Sequence, residues 1–169
     1  MSEVRRFKDV LKATRERQIQ GLEMIELIGK SEDDKIKIVM NAMKQCLLKT
    51  SADILEDKNI DPEHAVVASY EDFGLKAFIL STYDPDHDMI KLKVIMDSVP
   101  PPRRVDFYEL VGSYNDLFPA WHFGIQPDTD RAIMSSGMFV TDQFNVAEYV
   151  LLLRYVLINC AAYYPAIDE

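Results

Sequence analysis

The chain has 169 residues, a formal charge of −9 and a pI near 4.8, with 48% hydrophobic and 28% charged residues. Those proportions fit one soluble globular domain, exclude bulk disorder and call for no disulfide or metal staple. An acidic field of this size argues against nucleic acid and anionic membrane as main partners and favours a basic one.

Residues 3–28 read as a helix, with Val4, Phe7, Val10, Leu11, Leu22, Ile25 and Ile28 at helical spacing. Its middle, residues 12–18, is polar on every face, and Gly29 is the expected stop. Ser31 then caps a second helix, with Asp34 at N3 and Glu32 and Asp33 also near the positive end of the dipole. The apolar stripe Ile36, Val39, Met40, Met43, Leu47 and Ile54 carries this helix to about Glu56.

Beyond Asp61-Pro62 the period changes from 3.6 to 2. Strands are expected over 65–70, 75–83 and 89–98, separated by turns at 71–74 and 84–88. In the third, Ile90, Leu92, Val94 and Met96 share one face, the pattern of an antiparallel sheet with one packed side. Pro100-Pro101-Pro102 stops pairing and delivers a helix over 103–116, followed by strands at 121–126 and 131–140 and a last helix over 144–163. The order α-α-β-β-β-α-β-β-α predicts an α+β fold, an antiparallel sheet of about five strands packed against helices, rather than alternating βαβ units. Residues 1–30 form a mildly basic helical extension, net +2, and residues 31–169 a single domain carrying −11.

The last helix is apolar around well over half its circumference. Leaving three or four surplus large side chains in water forgoes roughly 1.5–3 kcal/mol each. Either the helices earlier in the chain or the same helix of a second subunit must cover them, so a homodimer is one expectation. Arg154 falls inside this apolar arc, its stem packing and its head reaching a carboxylate at the edge or across an interface. The apolar run Tyr149–Ile158 reads as too short and too interrupted to cross a bilayer, and the N-terminus has no signal-peptide core, so a cytoplasmic protein is expected.

No pattern names a reaction. Asp84-Pro85-Asp86-His87-Asp88 alternates acids like a calcium loop, but Met89 and Ile95 stand where the EF-hand needs Gly and Glu, so a turn is expected. Cys46 and Cys160 read as buried free thiols, and neither CxxC nor a Cys/His cluster suggests a metal. His64 and His122 have no nucleophile at a diagnostic spacing, and GxSxG, HExxH, P-loop and GxGxxG signatures are missing from the sequence. No catalytic, cofactor or metal residue is therefore assigned. Twelve of the seventeen aromatic residues lie beyond Val105 in a segment with no lysine, a composition shared by interaction surfaces and by core. From it, Tyr108, Asn115, Trp121, His122, Tyr149 and Arg154 are the candidate interaction or pocket residues.

Tyr114-Asn115-Asp116-Leu117 closing a helix, then Trp121-His122-Phe123-Gly124-Ile125-Gln126, the turn Asp128-Thr129-Asp130, the strand through Phe139-Val140 and a long apolar helix ending near Tyr164-Pro165 form a further pattern. Over residues 62–167 it resembles the YbjN-like family of small bacterial proteins, described as sensory transduction regulators. That family is similar in fold to type III secretion chaperones, which are small, acidic and often dimeric. The resemblance implies a β-β-β-α-β-β-α body and no catalytic residues. A non-enzymatic protein- or peptide-binding module, chaperone-like or a regulatory adaptor, is the expected function. A small enzyme or ligand-binding protein with a pocket between sheet and helices is the alternative.

Overall fold

The computed structural model describes residues 24–60, 63–117 and 121–164. An eighteen-residue helix, α1 (Glu32–Lys49), leads into four consecutive strands: β2 (Asp53–Ile60), β3 (Glu63–Asp72), β4 (Leu75–Asp84) and β5 (Met89–Ser98). A 3-10 turn (Pro101–Arg103) delivers α2 (Arg104–Leu117), and then β6 (His122–Ile125) and β7 (Arg131–Phe139) complete a six-stranded antiparallel sheet in the order β2-β3-β4-β5-β7-β6. Two short strands, β1 (Met24–Glu26) and β8 (Gln143–Asn145), pair with each other outside it, and α3 (Val146–Tyr163) ends the described fold. The architecture is α+β, as expected.

Two elements differ from the sequence reading. Residues 24–26, placed in the first helix, are extended and pair with residues 143–145, with Ile25 opposite fully buried Phe144. Residues 1–23, the remainder of that expected helix, lie outside the described residues. Second, the helix carried to Glu56 stops at Lys49. Ser51 takes the left-handed conformation at φ 65°, and the amides of Thr50 and Ala52 both return to the Leu47 carbonyl. Serine here performs the stop that glycine usually signals, and Ile54 becomes part of β2, the sixth strand of the sheet. The start of α1 is as read: the Ser31 hydroxyl accepts from the Asp34 amide at 3.2 Å.

Register assigns each residue to a face. On β5, Ile90, Leu92, Val94 and Met96 point inward and are fully buried. Their partners Tyr83, Ser81 and Ile79 on β4, and Met138, Ser136 and Met134 on β7, share that face. The three helices among the described residues pack there: α1 against β2–β4, α3 against β5 and β7, and α2 against β6. Phe107 and Tyr114 of α2 meet the Phe123 ring edge-on at 5.1 and 5.8 Å. The Tyr149 hydroxyl, fully buried, hydrogen-bonds the equally buried Ser81 hydroxyl at 2.7 Å, so neither leaves an unmade bond in the core.

The surplus apolar arc of α3 is partly covered by α1 of the same chain. Leu151, Leu152, Tyr155 and Ile158 remain half-buried. By length and composition alone α3 is apolar enough to cross a membrane, contrary to the reading of Tyr149–Ile158 as too short. In the fold its Tyr149, Val150, Leu153, Val156, Leu157 and Cys160 are buried against the sheet and α1.

Candidate interaction surface

With all the described helices on one side, the opposite face of the sheet carries no helix among the described residues. Its outward residues form rows across the strands, fixed by register. One row runs Phe78, Ile95, Ile133 and Gly124, and the next runs Val67, Leu80, Lys93, Ser135 and His122. Lys91 stands opposite Gly137, and Met89 opposite Phe139, which is 73% exposed. Arg131 lays its guanidinium 5.4 Å from the centre of the Phe78 ring while its Nε donates to the Met96 carbonyl at 2.7 Å. Phe78 is still 40% exposed. The face is thus apolar toward β4 and polar to basic toward β7.

A trough of about 680 Å³ lies along β7 on this face. Its floor is Ser135 and Gly137, with Lys91 and Lys93 of β5 on one side and His122 on the other. Gly137 is required by the sheet itself, because a Cβ there would stand 2.8 Å from the Ile90 carbonyl oxygen. The His122 ring leans along β6, within 3.3 Å of where a side chain on Gly124 would begin. Asn115 and Trp121 close the β6 edge of the trough.

Asn115 has a definite task at that edge. Its carboxamide oxygen accepts from the Phe123 amide and its nitrogen donates to the Phe123 carbonyl, both at 2.9 Å. Since β6 is the last strand of the sheet, the side chain satisfies edge groups that another strand would otherwise pair with. A single amide side chain thereby imitates one residue of a neighbouring strand. The other edge strand, β2, reads DILEDKNI, a charge-rich composition that discourages pairing.

A second cavity, about 320 Å³, sits where α3 meets the β3–β4 turn and the end of α1. It is lined by Leu151, Leu157, Ile158 and Tyr70, with Lys49, Arg154 and Asp72 among its polar groups. Beside it Phe73 is 76% exposed at φ 53°, held by a 2.8 Å hydrogen bond from its amide to the Asp72 carboxylate, with Gly74 following at φ 74°. Among the described residues Arg154 makes no ion pair with a carboxylate of its own chain.

The six candidate residues do not converge. His122, Asn115 and Trp121 meet at the trough, and Trp121 also stacks on Tyr155 at 4.7 Å. Arg154 lines the other cavity. Tyr108 is 57% exposed on α2, and Tyr149 is core. Burial raises the Tyr149 hydroxyl above the usual phenol range, and burial does the same to the Cys160 thiol. Cys46 and Cys160 are free and buried. The acidic turn is occupied with its own geometry: the Asp84 carboxylate takes the His87 ring nitrogen at 2.9 Å and the His87 amide at 3.3 Å. The Tyr83 hydroxyl donates to Asp88 at 3.3 Å, and burial, reinforced by that carboxylate, pushes its pKa up to about 12. Among the described residues no group of three or more His, Cys, Asp or Glu side chains is placed to hold a metal ion. Lys91 and Lys93 were missed in sequence because alternating lysines on a strand read as an ordinary wet face; only the register shows that their neighbours on β7 are small.

No family model and no curated protein matches the chain. Among solved structures the fold is similar to a chain in the crystal structure of the ExsC-ExsE complex, with a TM-score of 0.59 and 10% identity. The match covers 78% of this chain and 95% of that one.

Proposed function

We propose that the protein is a non-enzymatic protein- or peptide-binding module, chaperone-like or a regulatory adaptor, that holds its partner on the open face of the sheet. The observation that carries this reading is the outer face itself: six strands, no helix over it among the described residues, and apolar side chains such as Phe78 and Phe139 exposed in it. A folded chain gains nothing from such residues in water, and an extended apolar surface of this kind is a recurring feature of binding sites. The dispersal of His122, Arg154, Tyr108 and Tyr149 over separate places supports binding over catalysis, because acid–base chemistry needs its groups within hydrogen-bond reach of one substrate. The reading needs no cofactor. The shared fold with a chain crystallised in a two-component complex points the same way.

The same proposal includes a cytoplasmic location, supported by two free cysteines, and an N-terminal extension, 1–30, joined through β1 to a body, 31–169. It includes a homodimer through the half-buried residues of α3, and membership of the YbjN-like family, supported by the order of elements from β3 onward. The test is capture of partners from the host by the full chain, with mass spectrometry, beside the variant Phe139→Asp. A partner retained by the wild type and lost by the variant supports the reading. Equal capture by both moves the site off this face, and turnover of a small molecule without any protein partner contradicts it.

A further inference from the structure

The trough along β7 has a sign opposite to that of the chain. In a protein of net charge −9, its sides carry Lys91, Lys93 and His122, while its floor is Ser135 and Gly137. Lys91 lies 3.8 Å from Asp84, and Lys93 makes no ion pair among the described residues. Both lysines are half-buried along a strand rather than splayed on a loop. We infer that this trough takes an extended, acidic segment of a partner protein, lying along β7 with carboxylates facing Lys91 and Lys93 and apolar side chains toward Met89 and Phe139.

The spacing carries the inference beyond charge alone. Residues two apart on a strand are about 6.6 Å apart on one face. An extended segment repeats its own side chains at the same interval, so acidic residues at alternate positions bring one carboxylate to each lysine. The small floor leaves room for the segment between β5 and β6, roughly two strand spacings of 4.8 Å apart. The segment does not add to the sheet as a strand at this edge, because Asn115 already occupies the edge groups of Phe123. Met89 lines one end of the trough, and Phe139, just outside it, stands opposite Met89 on β7, so both offer apolar contact there. The chain's overall acidity favours a basic partner only at long range. At physiological salt, exposed charges beyond about 8 Å are largely screened, so the trough's own lining sets the sign at contact.

This inference deepens the binding-module reading and is tested apart from it. Two labelled extended peptides, each with valine two positions beyond a pair of charged residues spaced two apart, the pair being glutamates in one and lysines in the other, are titrated onto the full chain while backbone amide shifts are followed by NMR. The glutamate peptide is expected to shift residues of β5, β6 and β7 around Lys93 and Ser135, and to bind more weakly as salt rises. The double variant Lys91→Glu with Lys93→Glu is expected to lose about tenfold in affinity for it, from two surface ion pairs turned repulsive, and to gain affinity for the lysine peptide. Unchanged melting of that variant shows the fold to be intact; Lys91→Gln with Lys93→Gln serves where it is not. Equal binding of the two peptides overturns the inference, as does a shift map centred on α3, indifference to charge reversal, or tighter binding of short RNA than of the glutamate peptide. Those outcomes leave the binding-module reading standing, since it fails only when the wild-type chain captures no partner.

Discussion

On β5, Ile90, Leu92, Val94 and Met96 are fully buried, while Met89, Lys91, Lys93 and Ile95, one residue out of step on the same strand, are only half-buried. The first set faces the helix side of the sheet and packs on α3; the second faces no helix among the described residues. Both sets contain large apolar side chains, but folding explains only the inward ones. Burial of a side chain such as Leu92 contributes roughly 1.5–3 kcal/mol, whereas Phe139 at 73% exposure recovers little of that. The difference teaches where to look for function: the core residues account for stability, and outward apolar side chains such as Phe139 gain little from folding.

The contrast is broken most strongly from the inside. Phe123→Ala removes the ring that joins α2, β6 and α3, touching Phe107, Tyr114 and Tyr163. A loss of about 3–5 kcal/mol is expected in urea unfolding, against less than about 0.5 kcal/mol for Phe139→Ser on the outer face. Equal losses would mean that the outer face is also packed.

Asn115→Ala comes next. It deprives the Phe123 amide and carbonyl of their partners but opens them to water, so a destabilisation of about 1–2 kcal/mol is expected. The more telling readout is light scattering, where self-association should rise because the β6 edge is now free to pair. A variant that stays as monodisperse as the wild type removes the edge-capping role from Asn115.

Much of this arrangement is legible in the sequence. The period-2 alternation of residues 89–98 identifies both faces of β5, Ser31 with Asp34 marks the start of α1, and Pro100–Pro102 the entry to α2. What is not legible depends on contacts far along the chain. Residues 24–26 become a strand only because residues 143–145 lie beside them, and three residues carry no usable period. The stop at Ser51 is hidden because serine, unlike glycine, does not announce a positive φ. The candidate site is half legible for the same reason: His122, Trp121 and Asn115 stand out by type, but their union with Lys91 and Lys93 exists only through the β5–β7–β6 register.

Smaller effects sharpen the comparison at the turns. Phe73 pays for an exposed aromatic with a left-handed backbone, and Phe73→Asn suits that conformation better, so a gain of about 0.5–1 kcal/mol is expected in thermal melts. A gain accompanied by weaker partner capture would add this turn to the binding surface. At the opposite turn the His87 hydrogen bond, against the opposing effect of burial, holds the Asp84 carboxyl below its ordinary value. Its contribution is complete above the ordinary aspartate pKa of about 3.9 and is lost as pH falls through the lowered folded value. His87→Ala should move the Asp84 titration, followed by NMR, back toward that ordinary value and shift acid unfolding to higher pH; an unmoved titration removes His87 as the cause.

The claim that the outward face of the sheet is the working surface is tested most directly by mapping amide shifts on the wild-type chain as the captured host partner is added. The prediction is a continuous patch over the outward residues of β5, β6 and β7, including Lys93, Ser135 and Phe139, with α3 unmoved. A patch confined to α3 and the cavity beside Phe73 would contradict it.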